Sequence, residues 1–123
     1  MDLSEKTIFM QILQKTISDP KIYALSIYGS YARGEPYHDI DVCLFAKSDS
    51  ISSNEMLKYR LGFPEKFDIH FFHELPLYIQ IHVLNDGIIL INKDYNQLFD
   101  LYISKFHEYN LFQPHFETYL KGF

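Results

Sequence analysis

The chain has no tryptophan, a single cysteine, and only five glycines and five prolines in 123 residues. One cysteine, Cys43, rules out an internal disulfide and fits a reducing compartment. No cluster of Lys and Arg appears: 11 basic residues face 16 acidic ones, a net charge of −5. That balance removes the electrostatic footprint of a general DNA or RNA binder, although a metal ion can still bring a nucleotide to an acidic site. Long hydrophobic runs are missing too, and the stretch 87–91 is far too short to cross a membrane. The start, "MDLSEK", carries Asp2 and Glu5 where a secretory leader would be basic. Repeats, low-complexity tracts and linkers are also absent. What is there is 47% hydrophobic and 17% aromatic, chiefly 10 Tyr and 11 Phe, the make-up of a globular domain with a sizeable core. A cytoplasmic protein of one domain, residues 1–123, is expected.

Hydrophobic periodicity orders the elements. Ile8, Ile12, Leu13 and Ile17 recur at helical spacing and predict a first helix that ends near Ser18–Pro20. "IYALSIY", 22–28, reads as a strand covered on both faces. Gly29-Ser30 breaks it, with Ser30 suited to cap a short helical turn over "YARG". A second strand follows over 39–45, then a helix over 56–61 capped by Ser53 or Asn54, and a third strand, "KFDIHFF", 66–72. Pro76 opens a helix over 76–85, and "DGIILI" makes a hairpin-like turn into a short strand. From Asp94 to about Gly122 a long helix is expected, with Tyr95, Leu98, Phe99, Tyr102, Phe106 and Tyr109 on its core face and a break or bend at Pro114. The fold class is α/β (α+β) in a two-layer plan: a small mixed sheet of about four strands with helices packed on it.

The chemistry sits in "IYGSYARGEPYHDIDVCLF", 27–45. Two carboxylates one residue apart share a strand face, with Ile40, Val42 and Leu44 on the other. Held that close they repel, and one pKa rises unless a cation sits between them. Oxygen-only ligands of this kind suit Mg²⁺, which takes one or two carboxylates plus substrate phosphates. Asp68, between apolar residues of the third strand, adds a third carboxylate if that strand neighbours the second. Upstream, Gly29 lets backbone approach a ligand, Ser30 adds a hydroxyl, and Arg33 offers a fork of donors for phosphate oxygens. A phosphate cradle beside a carboxylate-bound metal is the minimum equipment for nucleotidyl transfer.

"GSYARGEPYHDIDV" resembles the signature of the DNA polymerase beta-like nucleotidyltransferase superfamily: Gly-Ser, a spacer, Asp-hydrophobic-Asp-hydrophobic, and a later third Asp. The small size and the Ala-Arg-Gly after Gly-Ser resemble its minimal nucleotidyltransferases, many of them antitoxins encoded beside a HEPN-domain toxin. The resemblance spans about residues 22–105. It implies the nucleotidyltransferase fold, with Asp39, Asp41 and Asp68 as catalytic metal ligands for Mg²⁺, two ions in all. It implies Gly29 and Ser30 on the triphosphate, with Arg33 in the family's loop, and ATP as substrate. AMP would pass to a hydroxyl, plausible acceptors being a tyrosine or similar group on a HEPN toxin. The alternative it implies is an antitoxin of weak or no activity that neutralises its partner by contact. Two departures stand out. The spacer, 31–38, is about two residues shorter than in common members, and His38 stands where they usually have Ser.

Structural readings compete at several positions. The aspartates could lie on a solvent-facing strand edge, and Arg33 could simply pair with Glu35. Lys47 reads as surface, and Cys43 as core. His70 shares the face of Asp68 and suits a supporting role. The six histidines lack zinc spacing, so His70 and His73 do not make a metal pair. Phe112, Phe116, Tyr119 and Phe123 exceed what a core helix needs and suggest a surface for a partner or a homodimer.

Overall fold

The computed structural model describes the backbone of residues 1–121 and the side chains of residues 1–111. Its elements are α1 (Leu3–Ser18), β1 (Ile22–Tyr28), α2 (Gly29–Ala32), β2 (Ile40–Ala46), α3 (Ser53–Leu61), β3 (Phe67–Phe71), α4 (Leu77–Asp86), β4 (Ile88–Asn92) and α5 (Tyr95–Lys121), with a 3₁₀ turn over Phe72–Glu74. The sheet order is β3-β2-β1-β4. β1 runs antiparallel to β2 and to β4, whereas β2 and β3 are parallel. The mixed four-stranded sheet is therefore as expected. β4 does not close a hairpin with its predecessor in sequence; it returns to the far side of β1 as an edge strand.

The expected two-layer plan is corrected, because helices cover both faces of the sheet. Phe9 and Ile12 of α1 and Met56 and Tyr59 of α3 pack with Leu25, Ile27, Ile40, Val42, Leu44, Ile69 and Phe71 on one face. On the other, Val83 of α4 and Leu98 of α5 meet Ala24, Cys43, Phe45 and Phe72. Alternation along β2 supplies both cores: Ile40, Val42 and Leu44 point one way, Cys43 and Phe45 the other, all fully buried. Cys43 is thus a core residue, and burial pushes its thiol pKa up.

Local chemistry moved several boundaries. Asp2 caps α1 by accepting the Glu5 N–H at 2.7 Å. The buried stripe of α1 is Glu5, Phe9, Ile12 and Thr16; Ile17, expected on it, is 61% exposed. It lies one residue past Thr16, about 100° around the helix. α3 is capped by Ser52, not Ser53 or Asn54, through a capping box: Ser52 Oγ accepts the Glu55 N–H at 3.1 Å, and Glu55 Oε1 accepts the Ser52 N–H at 3.2 Å. α5 runs past Pro114 without ending there. Its inward side is taken by Leu98 and Leu101, which pack on the second core. Tyr95, Phe99 and Tyr102, expected in the core, are 69%, 51% and 37% exposed. The surplus at Phe112, Phe116, Tyr119 and Phe123 lies outside the described side chains. Among the described residues no helix is long and apolar enough to cross a membrane.

Candidate functional site

Asp41 is the second residue of β2, where it faces Tyr28 at the end of β1 and Asp68 in β3. The parallel register of β2 and β3 thus does what the sequence could only make conditional: it sets Asp41 and Asp68 side by side. Asp41 is half-buried, and its pKa is raised, first by burial and then by Asp68, with Asp39 adding to the effect; His70 and Arg33 oppose it. Asp39 stands one residue before β2, exposed, and borders a hollow of about 350 Å³ along β3 together with Asp68, His70 and Arg60. The register and this hollow bring the three aspartates to one end of the sheet. Among the described residues, however, no three His, Cys, Asp or Glu side chains are gathered to hold a metal ion.

Gly29 makes the closest approach. It adopts φ +75°, and a Cβ built there would fall 2.1 Å from Asp41 Oδ2. Only glycine leaves that space open beside the carboxylate while turning the chain from β1 into α2. The turn starts at Gly29 after an extended Tyr28. Ser30 is therefore inside the first turn and not its cap, a correction that follows from the positive φ one residue earlier. Arg33 is held away from phosphate-ready geometry: its guanidinium forks onto Glu35 at 2.9 and 3.2 Å. The salt-bridge reading of Arg33 is the one realised here, in an exposed and readily exchanged pair.

The short loop before Asp39 is pinned. Tyr37 packs edge-on to Tyr31 with ring centroids 4.8 Å apart, and its hydroxyl donates to Glu5 Oε2 at 3.3 Å. Glu5 also receives Lys66 at 3.2 Å. Glu5 on α1 is therefore an anchor for the loop, unseen in the sequence because a lone Glu in a first turn looks like simple helix capping.

His70 stands with Nε2 3.0 Å from Asp68 Oδ2. Tyr28 was missed. Burial, then Cys43, Asp41 and Asp68, push its phenol pKa upward, so it is a neutral hydroxyl against the carboxylates. Arg60 was missed as well; it reaches this end because α3 packs along β3, and it pairs with Glu74. His73 belongs to the 3₁₀ turn, its ring 6.1 Å from that of Phe71 and apart from this cluster.

The donor chemistry fits a hard divalent cation: carboxylate oxygens only, beside a backbone that keeps one side open. The close fit at Gly29 can be tested against Gly34, which has a similar φ of +73° but nothing within 4 Å of the place a methyl group would take. Both alanine variants should carry the left-handed backbone cost of about 1–2 kcal/mol. Gly29→Ala should lose roughly a further 1–3 kcal/mol by forcing Asp41 aside. Denaturant melts of the two variants check this, and equal losses would refute the clash.

Comparisons with known proteins bear on the family and the fold. The family model for polymerase beta nucleotidyltransferases matches residues 10–96. The MJ1547 protein of Methanocaldococcus jannaschii, named as a protein adenylyltransferase, is 32% identical over 76 residues, 60% of this chain and 59% of that protein. The chain thus spans less than two thirds of that relative's length. A chain from a crystal structure of a toxin-antitoxin with AMP-PNP superposes with TM-score 0.75 at 15% identity, covering 94% of this chain and 95% of that one. A chain from the complex of tri-AMPylated Shewanella oneidensis HEPN toxin with its MNT antitoxin gives 0.70 at 16% identity, over 99% and 98% of the two chains. At these identities the structural likeness speaks for the fold, and the family match for descent. With its Gly-Ser turn set against Asp41 inside the matched region, the chain belongs to the polymerase beta nucleotidyltransferase family.

Proposed function

We propose that this chain is a Mg²⁺-dependent nucleotidyltransferase that moves AMP from ATP onto a hydroxyl of a HEPN-domain partner, as the antitoxin of a toxin-antitoxin pair. The observation that carries the reading is the meeting of Gly29 with Asp41. A phosphate-approaching turn and a half-buried carboxylate share one opening, with Asp68 beside it in register.

In this reading Asp39, Asp41 and Asp68 would hold Mg²⁺, two ions in all, and Gly29 and Ser30 would face the triphosphate. Bound Mg²⁺ would offset the phosphate charge and polarise the α-phosphoryl group. Arg33 would leave Glu35 for a phosphate oxygen, an exchange that an exposed pair permits. In the transfer the acceptor oxygen bonds to the α-phosphorus, the bond to the pyrophosphate bridging oxygen breaks, and a site carboxylate takes the acceptor proton. Support comes from the relative named as an adenylyltransferase and from fold neighbours described with AMP-PNP and with an AMPylated HEPN toxin.

A second reading, neutralisation by contact with little or no catalysis, is favoured by one observation. The carboxylates are not gathered as a ligand set, and Arg33 is occupied by Glu35. Labelled ATP, Mg²⁺ and a candidate HEPN-domain partner decide between them. Transfer predicts label on the partner that needs Mg²⁺. Neutralisation without label, retained in Asp39→Asn and Asp41→Asn, would establish the contact reading.

A further inference from the structure

We propose that the outer edge of β3 is the docking groove for the acceptor, where an extended segment of the HEPN-domain partner adds as a further strand and sets its hydroxyl side chain beside Asp68. This docking rests on the transferase reading and specifies how the acceptor is held. β3 ends the sheet order β3-β2-β1-β4, so among the described residues only one side of its backbone meets a strand. Ile40 N–H donates to Lys66 O at 2.8 Å. Lys66, Asp68 and His70 therefore turn their backbone groups toward β2, and Phe67 and Ile69 turn theirs outward.

The hollow of about 350 Å³ at this edge is lined by Phe67 and Ile69 as well as by Asp39, Arg60, Asp68 and His70. Both apolar side chains are 3% exposed and packed in the first core, so these two residues meet the hollow through their backbone. Phe67 N–H is taken by Pro64 O at 3.0 Å. Among the described residues, Phe67 C=O and the N–H and C=O of Ile69 have no partner. An extended chain satisfies such groups by pairing with them. Arg60 of α3 walls the groove on the face of the first core, and Asp68 and His70 wall it on the other.

Position selects the occupant. In phosphoryl-group transfer the attacking and leaving oxygens lie roughly in line through the phosphorus. Gly29 and Ser30 follow the end of β1 on one flank of Asp41, and Asp68 lies on the other. With the triphosphate at Gly29, the acceptor has to arrive from the β3 side. A residue paired beside Asp68 extends the row Tyr28, Asp41, Asp68 by one strand spacing, about 4.8 Å, with its side chain on their face. β4, the other edge, lies beyond β1 on the leaving-group flank. Charge favours a neutral or basic segment, because Asp39, Glu65 and Asp68 rim the groove and Arg60 is already paired with Glu74.

Amide exchange of the full chain by NMR, with and without a candidate HEPN-domain partner, tests the docking beside transfer kinetics with labelled ATP and Mg²⁺. In the free chain Ile69 N–H should exchange at least about 10-fold faster than the Asp68 and His70 N–H, which the ladder to β2 protects. In the complex it should slow at least about 10-fold. Ile69→Pro deletes an outward N–H, a change that an edge strand tolerates. It should raise the KM for the partner at least about 5-fold and leave the KM for ATP unchanged. Ile69→Ala loses similar core packing but keeps the N–H, and should keep the partner's KM. Transfer with an Ile69 N–H that stays fast in the complex overturns the docking and leaves the transferase reading standing, as does an equal KM for the partner in the two variants. Protection without transfer removes the transferase reading while the edge contact stands. Protection that grows with the concentration of the chain alone assigns the edge to self-pairing and overturns the proposal.

Discussion

Asp41→Asn should abolish nucleotidyl transfer while making the protein harder to melt. The amide cannot serve as an anionic ligand at the opening beside Gly29, and loss of one charged partner from such a site costs on the order of 10³-fold in rate. That corresponds to about 4 kcal/mol of transition-state stabilisation. The stability effect has the opposite sign. Burial and the neighbouring Asp68 raise the Asp41 pKa in the folded chain, so the folded state holds this proton more tightly than the unfolded one. The ionised carboxylate therefore opposes folding at neutral pH, and stops opposing it once pH falls below both the folded and the unfolded values. The variant should show a higher Tm than wild type at pH 7 and no gain near pH 3, where both chains are uncharged at this position. Melts at the two pH values, run beside the transfer assay, check both halves. A variant that keeps transfer would remove Asp41 from the mechanism. One that melts lower at pH 7 would show that the carboxylate is not under strain.

Phe45→Ala should be the most damaging simple truncation of the fold. Phe45 is fully buried on the central strand. It stacks on Phe72 with centroids 4.8 Å apart and planes 21° from parallel, and meets Tyr23 at 6.1 Å. Deleting a buried phenyl ring costs about 3–5 kcal/mol in lost transfer energy and residual cavity. Such a loss is a large part of a typical domain's 5–15 kcal/mol. The expected fall in Tm is on the order of 10–20 °C. Ile17→Ala is the matched control: its hydrophobic side chain is exposed, and its removal should change stability by less than about 0.5 kcal/mol. Urea titration of both variants measures the contrast, and comparable losses would contradict the placement of the second core.

The consequences differ because these residues act through different parts of the molecule. Phe45 holds α4 and α5 to the sheet, whereas Asp41 lies at its end, where the chain tolerates repulsion. A position that lowers stability in return for function is what the proposed transferase site would require. The same reasoning marks Gly29, whose missing side chain keeps Asp41 Oδ2 accessible.

Strand identity and the candidate residues were legible in the sequence because both depend on short-range pattern. Period two along 40–46 separates Asp41 from Val42 whatever the rest of the chain does. The Gly-Ser break after "IYALSIY" needs no tertiary contact to be recognised. Capping was less legible, since Ser52, Ser53 and Asn54 are all competent caps and only the reciprocal bond with Glu55 singles out Ser52. The aromatic face of α5 was misread for a related reason. Helical spacing reports that residues share a face, not what that face meets, and Leu98 and Leu101 compete for the core on a neighbouring face.

By itself, then, the sequence determined the order of elements, the aspartates and glycine of the candidate site, and the family resemblance that the comparisons bear out. Tertiary structure alone decided the rest. It paired β3 in parallel with β2, which placed Asp68 beside Asp41. It fastened the short loop through Tyr37 to Glu5. It also turned Tyr95, Phe99 and Tyr102 of α5 outward, leaving the core to Leu98 and Leu101. Each of these joins residues distant in sequence or competing for one partner, and such choices are settled by packing and charge in three dimensions, where local propensity has no preference.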